Sequence, residues 1–512
     1  MSVHPIVETT LPRESKPAKK FMMKTWAKNP SLLFGVVAAL VLVLPRQVSA
    51  QPSTLVHAFT GLGGLYPYAG LILSGNTLYG TTYGDCVYNC GTVFKVNTDG
   101  TGFTNLHLFT SDSNPYATNS DGANPQAGLI LSGNALYGTA SGGGTFGSGT
   151  VFKVNTDGSG FVNLHNFTRS DGNALTNSDG ANPYAGLILS GSTLYGTTSD
   201  GGSFGNGTVF ALNTDGTGFA TLHDFTAFPP YPATPINSDG ANPQAGLVLS
   251  GNTLYGVARA GGGSGNGTVF AVNIDASGFT NLYNFTKLAN TGNNSDGANP
   301  QAGLILSGNA LYGTASDGGS FGNGTVFAVN TDGSGFVNLH NFTKLYNTGN
   351  NSDGANPYAG LILSGNTLYG TATAGGTFGA GIGTVFAVNT DGTDFSILHT
   401  FTNYPSDGAN PFAGLVLSGN ILYGTTIAGG ALGVGTVFSL SLTPSPLLTI
   451  TRAGPNVILS WQTNSTGLTL QSTTNLASLV WTTNSTPPIL LNGQNTVTNP
   501  ISGTQQFFRL SQ

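Results

Sequence analysis

The feature that most constrains this chain is a unit of 54 to 60 residues that occurs seven times in tandem. The motif G-L-[IV]-L-S-G-x-x-L-Y-G begins at Gly70, Gly128, Gly186, Gly246, Gly303, Gly360 and Gly414. A second motif, G-T-V-F, begins at Gly91, Gly149, Gly207, Gly267, Gly324, Gly383 and Gly435. Repeats of this length are typical of solenoids, propellers and related arrays.

Each repeat has the pattern of four short β-strands. In the second copy the predicted strands cover residues 127–133, 135–141, 150–155 and 161–168. All four are rich in branched and aromatic side chains and are bounded by Gly, Asn and Asp. The repeats lack an apolar period of 3.6 residues, which argues against helices. Four strands per unit predict an all-β fold in which each repeat forms one propeller blade.

The two ends of the repeat region complement each other. A copy of the fourth-strand motif, residues 54–60, precedes the first G-L-I-L, whereas the last G-T-V-F, at 435–438, has no fourth strand after it. The extra fourth strand at the start can complete the last repeat. The sequence therefore predicts a seven-bladed β-propeller over residues 51–443 that is closed by the N-terminal strand. An open array, the alternative, would leave an unpaired sheet edge at each end.

The segments outside the repeats predict export. Residues 31–44 are apolar and follow a Lys-rich segment, and Val48-Ser49-Ala50 precedes the repeats, which is the pattern of a signal peptide over 1–50 with cleavage near Ala50. The apolar run is shorter than the ~20 residues that span a bilayer, so a retained anchor is the weaker alternative. We expect a secreted or cell-surface chain without a transmembrane anchor after cleavage.

The last 70 residues differ from the repeats. Residues 444–512 contain Trp461 and Trp481 in alternating stretches and predict a small C-terminal β-sandwich. It resembles the short domains, ending in a phrase like FFRL, that close many secreted Verrucomicrobia-type proteins. That resemblance implies sorting or attachment, and a plain stabilising role is the alternative.

Charge and composition exclude several functions. Residues 51–512 contain eight Lys and Arg and 19 acidic residues, all of them Asp, for a formal charge of −11. Without Glu, the Glu-based acid–base pairs of glycosidases are excluded. Eight dispersed cations cannot form a phosphate-binding stripe, so we expect no nucleic-acid partner. A G-x-S-x-G nucleophile motif is also absent from the sequence.

Cys86 and Cys90 lie in the segment YGDCVYNCGTVF. In an exported protein, such a close pair predicts a local disulfide. A metal site would need further ligands nearby, and the segment contains no His and no second Cys pair. We expect neither a metal nor another cofactor.

Two classes of loop would emerge on one face of the propeller, and loops often bind ligands. The S-D-G-A-N-P loops, between one repeat and the next, contain Asp121, Asp179, Asp239, Asp296, Asp353 and Asp407. The G-G-x-F-G-x-G loops, between the second and third strands, contain Phe146, Phe204, Phe321 and Phe378. These ten residues are the predicted ligand-binding set.

A structural role is the alternative for every repeated polar residue. Asp before Gly often hydrogen-bonds its own backbone in a turn. One Asp per loop offers fewer oxygens than calcium requires, although calcium stays open. The histidines His107, His165, His223, His340 and His399 share one strand position with Tyr283. Five copies of one His favour a structural hydrogen bond between blades over catalysis.

The repeats also resemble a known family. The combination of Tyr195-Gly-Thr-Thr198, Gly201-Gly202 and Gly207-Thr-Val-Phe210, followed by L-H-x-F, is similar to the GloVer (Gloeobacter and Verrucomicrobia) repeat. The resemblance covers residues 54–441 and implies an exported, propeller-like protein, without catalytic residues to transfer. Kelch and WD patterns do not fit, because residues 51–443 contain no Trp.

These observations lead to one functional hypothesis and two alternatives. We expect a secreted, non-catalytic binding or scaffold protein whose loop face recognises an extracellular protein or glycan. The first alternative, a carbohydrate-active hydrolase or lyase, rests on fold-level analogy. The second is a purely structural surface-layer role, which would require self-association without a ligand.

Overall fold

The computed structural model describes residues 53–84, 90–111, 118–171, 175–229, 236–377, 381–402, 407–442, 448–462, 469–474, 481–484, 486–500 and 506–511. These residues form β-strands, turns and one short 3-10 turn, Gly61–Gly63, and the described ranges contain no α-helix. Within them, no helix has the length and apolar character needed to cross a membrane. The predicted all-β fold is therefore confirmed for the described residues, while the predicted leader lies outside them.

The repeats form antiparallel sheets of four strands each, which we number by repeat. Sheets 1 to 3 comprise Ile72–Ser74, Thr77–Thr82, Thr92–Asn97 and Thr104–Leu108; Ile130–Ser132, Ala135–Ala140, Thr150–Asn155 and Val162–Asn166; and Ile188–Ser190, Thr193–Thr198, Thr208–Asn213 and Ala220–Asp224. Sheets 4 to 6 comprise Val248–Ser250, Thr253–Ala258, Thr268–Asn273 and Thr280–Asn284; Ile305–Ser307, Ala310–Ala315, Thr325–Asn330 and Val337–Asn341; and Ile362–Ser364, Thr367–Ala372, Thr384–Asn389 and Ser396–Thr400.

Sheet 7 combines strands from both ends of the repeat region. Its members are Val416–Ser418, Ile421–Thr426, Thr436–Ser441 and Thr54–Ala58. Thr54 pairs with Ser439 and Ala58 with Thr436, in antiparallel register. Phe59, directly after this strand, is fully buried, whereas Leu55 and Val56 are only half-buried.

The first strand of each sheet is shorter than the sequence predicts. In the second repeat it covers Ile130–Ser132 rather than 127–133, while the third strand, Thr150–Asn155, has the predicted bounds. The difference arises because Ala127 and Gly128 face the neighbouring repeat instead of pairing within their own sheet. Ala127 accepts a hydrogen bond on its carbonyl from Thr81 Oγ1 of repeat 1, at 3.1 Å.

Six junctions between neighbouring repeats contain this same Thr-to-Ala hydrogen bond. The donor–acceptor pairs are Thr81–Ala127, Thr139–Ala185, Thr197–Ala245, Thr314–Ala359, Thr371–Ala413 and Thr425–Ala69, at 2.9–3.1 Å. In repeat 4 the donor position is Val257, which has no hydroxyl to donate to Ala302. The last of the six pairs joins repeat 7 to repeat 1.

The glycine after each of these alanines also contacts the next repeat. A Cβ atom placed on Gly128 would lie 3.4 Å from the Gly70 carbonyl oxygen, and one on Gly70 would lie 3.3 Å from that of Gly414. The other five glycines approach their neighbours in the same way, at 3.1–3.4 Å. The Ala-Gly segments before the first strands of successive repeats therefore come too close together to accommodate a larger residue in place of Gly without a shift.

Large apolar side chains fill the space between adjacent sheets. In one such core, Leu136, Phe152 and Val154 of repeat 2 pack with Phe109 of repeat 1, and all four are nearly or fully buried. The Gly of the Y-G-T motif makes room for this packing: a Cβ on Gly196 would lie 2.6 Å from the Phe210 ring and 2.8 Å from Leu187. These contacts explain why Gly, Leu and Phe recur at fixed positions.

The C-terminal segment forms two further antiparallel sheets. One comprises Thr449–Ala453, Asn456–Gln462, Gln494–Pro500 and Ile489–Leu491, and the other Thr482–Thr483, Thr469–Thr473 and Phe507–Ser511. Leu459, Trp461 and Val497 of the first sheet share a core with Leu470 of the second. The domain boundaries at 443 and 444 fall outside the described residues and stay a prediction.

Candidate functional site

The six predicted Asp residues are buried rather than presented on the surface. In the five Asp residues that pair with His, only 6–10% of the side chain is exposed to solvent. In the first pair, His107 Nε2 lies 2.9 Å from Asp121 Oδ2, and the Thr110 backbone N–H donates to the same carboxylate at 3.1 Å. The carboxylate thereby ties the end of one sheet to the loop that leads into the next.

The same arrangement recurs in the other loops. The further pairs are His165–Asp179, His223–Asp239, His340–Asp353 and His399–Asp407, at 2.9–3.2 Å. In repeat 4 the Tyr283 hydroxyl donates to Asp296 at 2.7 Å instead. Each of these Asp residues therefore has a structural role, and its role in ligand binding stays a prediction.

The histidines also contact the next repeat through their ring faces. His107 stacks on Phe161 of repeat 2 with ring centroids 3.6 Å apart. The structure adds a further member that the sequence analysis did not include, because His57 stacks on Phe103 at 3.9 Å. His57 lies two residues before Phe59, as His107 lies two residues before Phe109, but Val56 stands at the position of Leu106, so the first motif differs in sequence while it keeps the same β-bulge. Burial lowers the pKa of His57.

The carboxylates of Asp121 and Asp407 are held in the ionised form. Burial alone would raise the pKa of Asp121, but hydrogen bonds from His107 and Thr110 outweigh it and lower the pKa below its usual range. At Asp407, burial is opposed by His399 and by a hydrogen bond from Ser53, and the pKa falls to about 2. These charges stabilise the fold at neutral pH.

The predicted aromatic loop residues are exposed where the structure describes them. Phe146, Phe204 and Phe321 keep 41%, 48% and 51% of their exposure. Phe378 and Cys86 lie outside the described residues, and Cys90 is fully buried. The binding role of the Phe residues and the Cys86–Cys90 disulfide stay predictions.

A pocket that the sequence analysis did not predict takes one side chain from each repeat. We call it the shared pocket. It has a volume of about 430 Å³ and is lined by Tyr68, Gln126, Tyr184, Gln244, Gln301, Tyr358 and Phe412, together with Tyr83. The first seven residues immediately precede the Ala-Gly pairs that contact the next repeat, and these pairs line a further space next to it. Close packing of these Ala-Gly pairs therefore places seven equivalent side chains around one cavity.

Aromatic side chains occupy one side of the shared pocket. Tyr358 stacks on Phe412 with centroids 4.6 Å apart, and Phe412 meets the edge of Tyr68 at 5.2 Å. Tyr68 in turn contacts Tyr83 at 5.6 Å. These four residues, from repeats 6, 7 and 1, form a continuous aromatic cluster.

Amide side chains come from repeats 2, 4 and 5. Gln126 Nε2 donates to Ser141 Oγ, and Gln301 Nε2 donates to Ser316 Oγ, both at 3.2 Å. Each bond uses one N–H, so the amide oxygen and the second N–H of both residues are available to a ligand. In repeat 4, the position equivalent to Ser141 and Ser316 is occupied by Arg259, so Gln244 has no such serine beside it.

The phenols of Tyr68, Tyr184 and Tyr358 are held in the protonated form. Burial raises the pKa of Tyr68, Tyr184 and Tyr358. Nearby charge raises the pKa further. At Tyr68 this charge comes from Tyr83 and Tyr66, and at Tyr184 it comes from Asp200 and Tyr83. At Tyr358 it comes from Asp317, whose effect Arg259 opposes. The tyrosines therefore serve as hydrogen-bond donors and apolar faces, and are poor bases at neutral pH.

The signal for this pocket is present in the sequence. The segment D-G-A-N-P-x-A-G-L is nearly constant in repeats 2 to 7, and x is Gln, Tyr, Gln, Gln, Tyr or Phe. Repetition directs attention to constant residues, whereas the residues that line the pocket occupy the variable position. Among the described residues, no group of three or more His, Cys, Asp or Glu is arranged to hold a metal ion.

A family model for the Gloeobacter/Verrucomicrobia repeat matches residues 47–176, 116–290, 173–343 and 286–475. The chain belongs to this family. The matches overlap and together extend over most of the sequence, so the predicted resemblance is confirmed. No curated protein shows significant similarity to the chain.

Solved structures of similar fold are distant in sequence. They include the tricorn protease (11% identity, TM-score 0.35), TolB from Acinetobacter baumannii (13%, 0.33) and the GH74 xyloglucanase from Xanthomonas campestris (12%, 0.46). The alignments cover 78%, 59% and 80% of this repeat protein. It spans only 33%, 58% and 59% of the three matched chains, so similarity of this degree carries no functional conclusion.

Proposed function

We propose that this Gloeobacter/Verrucomicrobia repeat protein is an exported, non-catalytic binding protein that holds a glycan in the shared pocket. The observation that carries the proposal is the division of the pocket lining into an aromatic cluster and a set of glutamine amides. Sugars present apolar C–H faces and hydroxyl groups in the same molecule. Aromatic faces pack against the former, and amides bond to the latter in both directions.

The proposal includes a closed, seven-bladed propeller over residues 51–443. Two observations support closure by the N-terminal strand: Thr54–Ala58 completes sheet 7, and Gly70 approaches Gly414 as the other glycines approach their neighbours. In such a ring the shared pocket lies on the axis. Its volume falls within the range of about 300–1,000 Å³ that is usual for small-ligand sites.

The proposal retains the expected export. Residues 1–50 would act as a signal peptide cleaved near Ala50, and a Cys86–Cys90 disulfide would form outside the cytoplasm. The C-terminal residues 444–512 would attach or stabilise the propeller. We propose neither a nucleic-acid partner nor a cofactor.

A binding role is favoured over a hydrolase or lyase by the groups around the pocket. Tyr68, Tyr184 and Tyr358 have raised pKa values, and the glutamines of the pocket do not titrate. The Asp residues paired with His are already engaged as hydrogen-bond acceptors. An extracellular protein partner, which the sequence left open, would instead be expected to use the exposed Phe residues.

A glycan array incubated with the full chain tests the proposal. We expect saturable binding to a subset of saccharides without release of products. Tyr358→Ala should weaken binding about tenfold, since it removes a stacking face. Phe204→Ala, which truncates an exposed loop residue outside the pocket, is the matched control and should leave binding unchanged. Cleavage of a saccharide, or loss of binding in Phe204→Ala but not in Tyr358→Ala, would contradict the proposal.

A further inference from the structure

Arg259 holds a position that lines or supports the shared pocket in repeats 1, 2 and 5. The equivalent residues are Tyr83, Ser141, Ser199, Ser316, Thr373 and Ile427. In all seven repeats the backbone N–H of this residue donates to the carbonyl two residues before the pocket side chain; for Arg259 the acceptor is Asn242, at 3.3 Å. The Arg259 side chain therefore starts at the pocket wall, beside Gln244.

The equivalent side chains show what this position does. Tyr83 lines the pocket directly, while Ser141 and Ser316 hold Gln126 and Gln301 through their hydroxyls. Arginine replaces these groups in repeat 4 alone. It is the one charged residue among the seven equivalents.

The guanidinium of Arg259 is available to a ligand. The residue is exposed, and none of the ion pairs in the described part of the chain includes it. Arg259 also lies close enough to Tyr358 to oppose the effect of Asp317 on that phenol. The positive charge of Arg259 therefore acts on Tyr358, which belongs to the aromatic cluster of the pocket.

The neighbouring acids are satisfied by groups of their own. Asp200 accepts hydrogen bonds from Ser199 Oγ at 2.6 Å and Asn242 Nδ2 at 3.4 Å. Asp317 accepts from Ser316 Oγ and Asn299 Nδ2, both at 2.9 Å. Both side chains are half-buried. Neither Asp forms an ion pair with Arg259 among the described residues, so neither neutralises its charge by direct contact. Their own negative charges do restrict where the carboxylate of a ligand can lie.

We propose that Arg259 binds the carboxylate of a uronic-acid residue whose ring is held in the shared pocket. This inference rests on the proposed glycan-binding function and narrows it to acidic saccharides. A guanidinium forms paired, charge-assisted hydrogen bonds with a carboxylate, and neither a hydroxymethyl group nor a methyl ester can reproduce them. Arg259 is then the residue that determines specificity, while the aromatic cluster and amides hold the sugar ring.

The test compares each uronate with an ester and a neutral form that differ from it only at C6. The probes are trisaccharides of glucuronate, galacturonate and mannuronate, each with its methyl ester and its neutral counterpart, and a glucosamine trimer as the cationic arm. We expect the full chain to bind at least one uronate about tenfold more tightly than its ester and neutral forms. Arg259→Ser, which introduces the residue found in repeats 2, 3 and 5, should reduce this preference to within about twofold.

Arg169→Ser is the control, because it removes the same charge from an exposed position that does not line the pocket. It should retain the preference, and Arg259→Gln should lose it, with both variants folded by circular dichroism. Equal binding of acid and ester, preference for the glucosamine trimer, or an unchanged preference in Arg259→Ser would overturn this inference alone. Failure to bind any saccharide would overturn the proposed function as well.

Discussion

Ser53 donates a hydrogen bond of 2.8 Å to the Asp407 carboxylate, although 354 residues separate them in the sequence. The same carboxylate pairs with His399 of sheet 6. Residues just before the N-terminal strand are therefore fixed to the loop that leads into sheet 7, and the strand itself completes that sheet.

Removal of the N-terminal strand is expected to destabilise the whole repeat region. A variant that lacks residues 51–60 loses the fourth strand of sheet 7 and the fully buried Phe59. Phe59→Ala alone should cost about 3–5 kcal/mol of unfolding free energy. Thermal unfolding followed by circular dichroism measures both effects. An unchanged midpoint in the deletion variant would show that the strand does not close the propeller.

Stability should depend on pH through Asp407. Its folded-state pKa of about 2 lies below the ~3.9 of an unfolded Asp, so the ionised group stabilises the fold above about pH 4. This contribution disappears as the pH falls through 2. Asp407→Asn should therefore cost about 1–3 kcal/mol at pH 7 and progressively less between pH 4 and 2. Denaturant titrations at each pH measure the difference, with exposed Asp394→Asn as the control. A cost that is independent of pH would contradict the assignment.

Val257→Thr is expected to stabilise the chain. The new hydroxyl would occupy the position from which Thr197 and Thr314 donate to an alanine carbonyl of the next repeat. A hydrogen bond to Ala302 should add about 0.5–1.5 kcal/mol. The reverse substitution, Thr314→Val, should lose a similar amount in repeat 5. If urea denaturation showed both variants to be destabilised, the junctions would not be equivalent.

Gly196→Ala should destabilise sheet 3 by about 1–3 kcal/mol, because the new methyl group would overlap Phe210 and Leu187. The control is Gly191→Asn, at a hairpin position with φ of 61° and no atom within 4 Å of a new Cβ. Asn tolerates this left-handed conformation, so the cost should be small. Comparable losses in the two thermal midpoints would refute the packing explanation.

The sequence predicts the strands well because each repeat supplies the same pattern again. The strand Thr150–Asn155 and the pairing of the two ends follow from motif positions alone. The first strand is shorter than predicted because Ala127 bonds across to Thr81, which is a contact between repeats. Patterns within one repeat contain no information about such contacts.

The candidate site was harder to predict for a related reason. Asp121 and its equivalents recur in six loops, which suggested a surface function, yet they are buried against histidines. The contact between Tyr68 and Phe412 could not be predicted, because the two residues lie far apart in the sequence. Only the close approach of Gly70 and Gly414 brings them together.

The variable residue before each Ala-Gly pair lines the shared pocket, whereas the constant residues around it keep the chain folded. Each copy of the repeat contributes one side chain to the cavity, and substitution there leaves the glycines, threonines and buried phenylalanines of the same copy untouched. Successive point mutations can thus alter the cavity one wall segment at a time. If the proposed binding function holds, the selectivity of the shared pocket can diverge within a lineage while the scaffold stays the same.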